Sequence, residues 1–391
     1  MKFQRELERP GKSFLLLGPR GTGKSTWLRS LSFKVCIDLL NTKDRLMYLQ
    51  DPSVLASTLA HVDAGEWVLI DEVQKVPDLL DEVHALYETK KINFALSGSS
   101  ARKLKKSGTN LLAGRAINRK MYPLVYPEYR HSMTNLDDLI DWGTLPLVLD
   151  NWDYKEDTLL TYIDNYLRQE LMEEGIVRSL EPFVRFLSVA GQLNGQILNV
   201  ENIARESKVK RPTVDKYYQV LVDTLIGYRL PAYQPSIRLN ESAHPKFYLF
   251  DAGVARAAAG YTHERLDQSY RGFLFETYML NEVRAYNEYH ARHRDLFYYS
   301  VRSAGDVDLI IQLEKKTKTK PDKIIAVEFK LGTSYRSEWA KSLLILNEDR
   351  SKSTVEKLII VYTGSQRSSH GAVELVPAND FLEDLYNGKI F

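Results

Sequence analysis

The sequence predicts an α/β protein: an N-terminal parallel sheet covered by helices, a helical middle segment, and a second α/β domain towards the C-terminal side. Three observations carry this expectation. Short apolar runs, FLLLG, WVLID and NFALSGSS, alternate with helical segments in the first third, the rhythm of strands joined by crossover helices. Pro123, Pro127 and Pro146 then interrupt the pattern, and from Tyr154 the periodicity is helical. Finally FYLFD, DLFYYSV, VDLIIQL, IIAVEFK and KLIIVYT surround a helix containing Phe275 to Tyr289.

A chain of 391 residues holds two or three domains, and we place them at 1–135, 136–235 and 236–391. No apolar run approaches the roughly 20 residues that a membrane span needs, so a cytoplasmic location without a membrane partner is expected. Phe14 to Leu17 reads as a buried strand, not as a signal peptide. Cys36 is the single cysteine, which excludes a disulfide framework; between Val35 and Ile37 it reads as a buried structural thiol. A net charge of +2 is too small to announce a nucleic-acid binder from bulk composition. The lysine clusters at Lys103, Lys105 and Lys106, and from Lys315 to Lys320, read as solvated loops.

Gly18 to Ser25 spells GPRGTGKS and fits G-x-x-x-x-G-K-[ST], after an apolar strand and before a helix. Gly18, Pro19, Arg20, Gly21, Thr22 and Gly23 form a loop whose amides cradle phosphate, aided by the positive end of the helix dipole. Lys24 reaches the β and γ phosphates, Ser25 ligates Mg²⁺ and Thr26 assists. WVLIDE ends a buried strand in two acids: Asp71 is expected to hold Mg²⁺, and Glu72 to polarise the attacking water as general base. A strand end capped by solvated acids is the alternative. Ser97, at the end of NFALSGSS, is placed to sense the γ phosphate or merely to cap its strand. Arg102 and Arg115 are the candidates for an arginine finger, which in trans requires a homo-oligomer.

In the last section Asp308 lies in VDLIIQL, and Glu328 and Lys330 lie in IIAVEFK. Strand alternation puts Glu328 and Lys330 on one face, where an adjacent strand brings Asp308 to meet them. Two carboxylates and a lysine suit Mg²⁺ and phosphodiester hydrolysis, with Asp308 and Glu328 as ligands and Glu276 or Asp306 as further acids. An ion-paired sheet face is the other reading. Asn199 to Tyr228 reads as helix, turn and helix, with Pro212 in the first turn of the second. Lys208, Lys210, Arg211 and Lys216 face phosphates in a DNA-binding reading, with Thr213 in the major groove; in a packing reading Tyr217, Tyr218 and Val220 are core.

Together GPRGTGKST, LIDEVQKVPDLL, LSGSSARKL with LLAGRA, FYLFDAGVARA, GFLFETYML, GDVDLII and AVEFKLG resemble prokaryotic AAA-type ATPases with a C-terminal region of unassigned function. The likeness covers nearly the whole chain. It implies a P-loop NTPase core, a winged-helix segment, and a restriction-endonuclease-like domain whose PD-(D/E)XK motif maps to Asp308, Glu328 and Lys330. Here Val307 stands where that motif has proline. The implied cofactors are ATP and Mg²⁺, and the implied partners are DNA, a further copy of the chain or another protein. Two functions are therefore carried forward: an ATPase acting on nucleic acid, and a nucleotide switch whose C-terminal domain is a non-catalytic protein-interaction module.

Overall fold

The computed structural model of the chain describes residues 3–99, 114–132, 135–167, 180–234, 244–301, 305–348 and 353–391. Five strands form the first sheet: β1 (Phe14–Leu17), β2 (Val35–Asp38), β3 (Trp67–Asp71), β4 (Asn93–Gly98) and β5 (Ile117–Lys120). Their spatial order is β2-β3-β4-β1-β5 and every pairing is parallel. β1, β3 and β4 are buried along nearly their whole length, as parallel strands covered on both faces must be. Helix α1 (Lys24–Arg29) follows β1, and α2 (Leu79–Lys90) joins β3 to β4. Because β4 lies between β1 and β3, Gly18, Asp71 and Ser97 meet at one edge of the sheet. Cys36 is exposed, not buried: β2 is an edge strand, and alternation turns Ile37 into the core and Cys36 out of it.

The middle segment contains α3 (Leu180–Gln192), α4 (Val200–Ser207) and α5 (Arg211–Asp223). The Asn199 side chain caps α4 by accepting from the Asn202 amide at 3.0 Å, and Lys208, with φ of 54°, ends it. Tyr217, Tyr218 and Val220 are buried, while Lys208, Lys210, Arg211 and Lys216 are exposed. Strand β6 (Gly227–Leu230) pairs antiparallel with β7 (Lys246–Leu249). The run FYLFD thus belongs to this hairpin, not to the C-terminal sheet, because GYRL offers it a partner sooner in the chain. Asp251 then caps α6 (Ala252–Ala258).

The last sheet is mixed, with order β12-β13-β11-β10-β9-β8. Its strands are β8 (Asp295–Val301), β9 (Gly305–Glu314), β10 (Asp322–Lys330), β11 (Ser353–Tyr362), β12 (Ser368–His370) and β13 (Val373–Pro377). Alternate residues serve two faces. Leu309, Ile311, Ile325 and Val327 join the core built with α7 (Gln268–Tyr289) and α9 (Ala378–Tyr386), whereas Ile310, Ile324 and Ala326 pack against α8 (Lys341–Glu348), joined by Val307 across a register shift between β8 and β9. The first of these cores is continuous from Leu124 to Ile390, so the middle and C-terminal segments share one interior; the N-terminal sheet has its own. Among the described residues no helix is long and apolar enough to cross a membrane.

Candidate functional site

The loop between β1 and α1 owes its shape to three glycines. A Cβ on Gly18 would stand 2.6 Å from the Met121 carbonyl oxygen, where β5 leaves the sheet. Gly21 and Gly23 have φ of +82° and +86°, the left-handed region that glycine enters without strain. The Lys24 ammonium is buried over the loop and donates to the carbonyls of Gly18 at 2.7 Å and Pro19 at 3.0 Å. Thr22 Oγ1 closes the loop internally by donating to Pro19 O at 2.8 Å. Ser25 and Thr26 open α1 at the same mouth, and Arg20 is exposed at the tip.

At the end of β3, Asp71 is buried and accepts from Ser97 Oγ through Oδ1, while its Oδ2 has no bonding partner among the described residues. An unpartnered buried carboxylate oxygen fits a hard divalent cation, so the donor set of Asp71 and Ser25 suits Mg²⁺. The Ser97 hydroxyl also accepts from the Glu72 amide at 3.1 Å, tying the two acids of β3 to β4. Glu72 has φ of 61°, unusual for a residue with a side chain, and backbone strain of this kind gathers at functional positions. Its carboxylate accepts from Gln74 Nε2, which also donates to Ser99 Oγ at 3.1 Å. Gln74 had no signal in the sequence beyond its place two residues after the acids. Gly98 leaves room for it, since a Cβ there would lie 2.6 Å from Gln74 Oε1.

In the C-terminal sheet the antiparallel register pairs Val327 with Leu309, which sets Glu328 across from Asp308. The Asp308 amide donates to Glu328 Oε2 at 3.0 Å, and the Phe329 amide to Asp308 Oδ2 at 2.9 Å. Lys330 Nζ lies 3.0 Å from Glu328 and 3.7 Å from Asp308. The three predicted groups therefore meet, and Glu276 from α7 joins them through a residue that sequence reasoning missed. Lys246, at the start of β7, is buried and puts its ammonium 3.1 Å from Glu276 Oε1 and 3.5 Å from Asp308 Oδ1. Tyr248 also donates to Glu276.

Three carboxyls thus face two ammonium groups. Burial, with Asp308 nearby, pushes Glu276 up to about 7 and Glu328 up to about 8. For Asp308 burial acts in the same upward direction, but Lys330 and Lys246 outweigh it and hold the carboxyl below its ordinary value. The cluster balances when the surplus acid keeps a proton. Among the described residues no group of three or more His, Cys, Asp or Glu side chains is disposed to hold a metal ion. Lys330 stands beside Asp308 and Glu328, as expected, and Lys246 adds a second ammonium against Asp308 and Glu276. The contacts among these side chains are ion pairs and hydrogen bonds.

Residues 10–130 match an AAA domain. A match of this kind implies use of a nucleoside triphosphate, and it spans the loop, Asp71, Glu72 and Ser97. Residues 133–265 and 271–381 match two domains of unknown function, DUF8612 and DUF4143. An uncharacterized protein of Mycobacterium tuberculosis is 25% identical over 313 residues, covering 76% of this chain and 67% of that protein. One from Methanocaldococcus jannaschii is 21% identical over 383 residues, covering 90% of this chain and 82% of the other. Among solved structures, a RuvB mutant of Thermotoga maritima aligns at TM-score 0.31 and 15% identity, over 56% of this chain and 82% of its own. Aeropyrum pernix Orc1 in complex with DNA aligns at TM-score 0.27 and 14% identity, over 65% of this chain and 87% of that one. At such scores neither alignment bears on the site.

Within the AAA domain, Arg115 does not join the phosphate loop. It precedes β5, which begins beside Phe14, and pairs with Glu88 at the opposite edge of the sheet. Four residues of strand, roughly 13 Å, separate it from Gly18 in the same copy. Arg102 lies outside the described residues. Two further residues outside the motif touch the loop: Arg5 donates to Thr22 O at 2.8 Å, and Tyr162 Oη donates to Arg20 O at 3.0 Å. Neither stands near the motif in the sequence, so no local pattern marks them.

Proposed function

We propose that the protein is an Mg²⁺-dependent ATPase whose nucleotide state is read out by a C-terminal domain that binds without cutting. The observation that carries the enzymatic part is the trio at the sheet edge: buried Asp71 with one oxygen unpartnered, half-buried Glu72 held by Gln74, and buried Ser97 bonded to both acids. The AAA-domain match over residues 10–130 supports the same reading. In it the loop amides and Lys24 hold the β and γ phosphates, Ser25 and Asp71 hold Mg²⁺, and Glu72 accepts a proton from the attacking water. The metal supplies charge neutralisation on the phosphates. Ser97 holds the two acids in register and Gln74 orients the base. An arginine finger, if one acts, is Arg115 of a second copy or Arg102. A cavity of about 80 Å³ beside Gly23 and Thr26, lined by Phe3, Pro146 and Asp150, offers room for part of the nucleoside.

The non-catalytic part rests on Lys246, which fills the place of a cation between Glu276 and Asp308. Nucleic acid is a candidate partner on a separate ground: Lys208 and Lys210 at the α4–α5 turn and Lys216 on α5 are exposed while the tyrosines of α5 are buried. Measuring Mg²⁺-dependent ATP hydrolysis with and without DNA, and DNA integrity on a gel, tests both parts. Turnover is expected in the wild type and lost in Lys24→Ala and Glu72→Gln, with DNA intact throughout. Nicking that disappears in Glu328→Ala would overturn the non-catalytic reading, and turnover surviving Lys24→Ala would overturn the assigned site.

A further inference from the structure

The carbonyls of the phosphate loop are held from outside. In a trans peptide the C=O and N–H of one unit point in opposite directions. A bond that fixes the Thr22 carbonyl towards Arg5 therefore turns the Gly23 N–H away from Arg5, and a bond that fixes the Arg20 carbonyl towards Tyr162 does the same for Gly21. These are the two glycines with left-handed φ. The orientation of two loop amides thus depends on two side chains from elsewhere in the chain.

Arg5 is more than a local strap. Its side chain is 3% exposed and that of its partner Glu128 0%, with Nε 3.0 Å from Glu128 Oε1. Its remaining terminal nitrogen donates to the carbonyls of Tyr122 at 2.8 Å and Pro123 at 3.3 Å, and to Tyr289 Oη at 3.4 Å. Tyr289 is the last residue of α7, and its hydroxyl also accepts from the Tyr122 amide at 2.9 Å. Glu128 in turn accepts from the amides of Glu6 and Val125. The same helix carries Glu282, about two turns earlier, which accepts from the Tyr126 amide at 3.1 Å and from Tyr129 Oη at 2.7 Å. One planar guanidinium therefore bonds at once to the nucleotide loop, to the segment leaving β5 and to the end of the longest C-terminal helix. Its five N–H groups in a fixed fork make such simultaneous bonding possible, which a lysine with one nitrogen does not reproduce.

We propose that Arg5 is a positioning residue that couples the phosphate loop to the end of α7: the orientation of the Thr22–Gly23 peptide and the seat of the α7 C-terminal turn are set by the same side chain. The inference rests on the reading that the loop binds ATP. Binding of ATP then shifts the α7 end, and by reciprocity a partner that shifts α7 changes ATP affinity by the same factor.

The test uses the full chain with MgATP as the probe, measuring affinity by calorimetry, turnover, and amide hydrogen exchange at the loop and at the last turn of α7. In the wild type MgATP is expected to slow exchange at both places. In Tyr289→Phe, which removes one hydroxyl, affinity stays within about threefold while the α7 response is lost. In Arg5→Lys, KM rises about tenfold with a smaller change in kcat, since the loop must be ordered by the ligand itself. Unchanged melting of both variants shows that the fold is retained. A wild type that binds MgATP without any α7 response, or an α7 response that survives both substitutions, overturns the coupling alone. A wild type that binds no MgATP overturns the nucleotide reading, and the coupling falls with it.

Discussion

Replacing Lys246 with methionine removes one of two ammonium groups from the cluster of Glu276, Asp308 and Glu328 and leaves the others in place. Breaking a buried ion pair in this way costs about 3 to 5 kcal/mol. A second route gives a similar figure. To restore balance the variant takes up one more proton than the wild type, into a carboxyl whose ordinary value is 4.5. At pH 7 that uptake costs 1.36 kcal/mol for each unit of the difference, about 3 kcal/mol. The sign follows from the direction of the shift. The unfolded variant releases the proton above about pH 4.5, the folded variant keeps it, and stability therefore falls as pH rises. The loss relative to wild type should shrink to below about 1 kcal/mol at pH 5. Urea unfolding of both proteins at the two pH values, followed by tryptophan fluorescence, measures this, and Glu276→Gln added to Lys246→Met should recover most of the loss at pH 7. Equal destabilisation at both pH values, or no recovery in the double variant, would refute the charge balance. So would an Asp71→Asn variant that gains stability from millimolar Mg²⁺ in the absence of nucleotide.

Gln74→Ala should lower kcat about tenfold with little change in KM, because it frees the Glu72 carboxylate without touching the phosphate loop; steady-state hydrolysis checks this. Glu282, raised by burial to about 7, makes folding less favourable as pH climbs from the ordinary carboxylate range to neutrality. Glu282→Gln should flatten that slope in melts taken between pH 5 and pH 7. Gly18→Ala should weaken nucleotide binding and lower the melting temperature together, since the added methyl meets the Met121 carbonyl and forces β5 away from β1.

The phosphate loop was legible because its chemistry is local: eight consecutive residues, one strand before and one helix after. The meeting of Asp71, Glu72 and Ser97 was legible because each lies at or beside the end of a buried strand, and the convergence of Asp308, Glu328 and Lys330 because alternation on adjacent strands brings such residues to one face. What escaped is the set of partners supplied from far away. Lys246 comes from a hairpin 62 residues before Asp308 (308 − 246), too far along the chain for any local pattern to link it to these acids. Arg5 and Tyr162 reach the loop across separations of 17 and 142 residues, which no periodicity records. Local apolar flanks misled in the case of Cys36, whose strand lies at a sheet edge. Arg115 was placed by its nearness in sequence to the strand of Ser97; in the structure it precedes β5, which begins beside Phe14, and it pairs with Glu88.

The tie between Arg5 and Tyr289 also sets a schedule. The strands of the first sheet are complete once residue 120 has been made, so that unit is able to close while the rest of the chain is still being synthesised. The hydroxyl that Arg5 awaits lies 169 residues beyond that point (289 − 120), and at ordinary synthesis speeds it emerges roughly 8 to 34 s later. For nearly all of that interval the guanidinium has Thr22, Tyr122, Pro123 and Glu128 within the chain already made but lacks the helix end. A ribosome-bound fragment would thus carry the nucleotide motif in full before the motif acquires its final stiffness, and the last turn of a distant helix, not the motif, marks the moment when the nucleotide site matures.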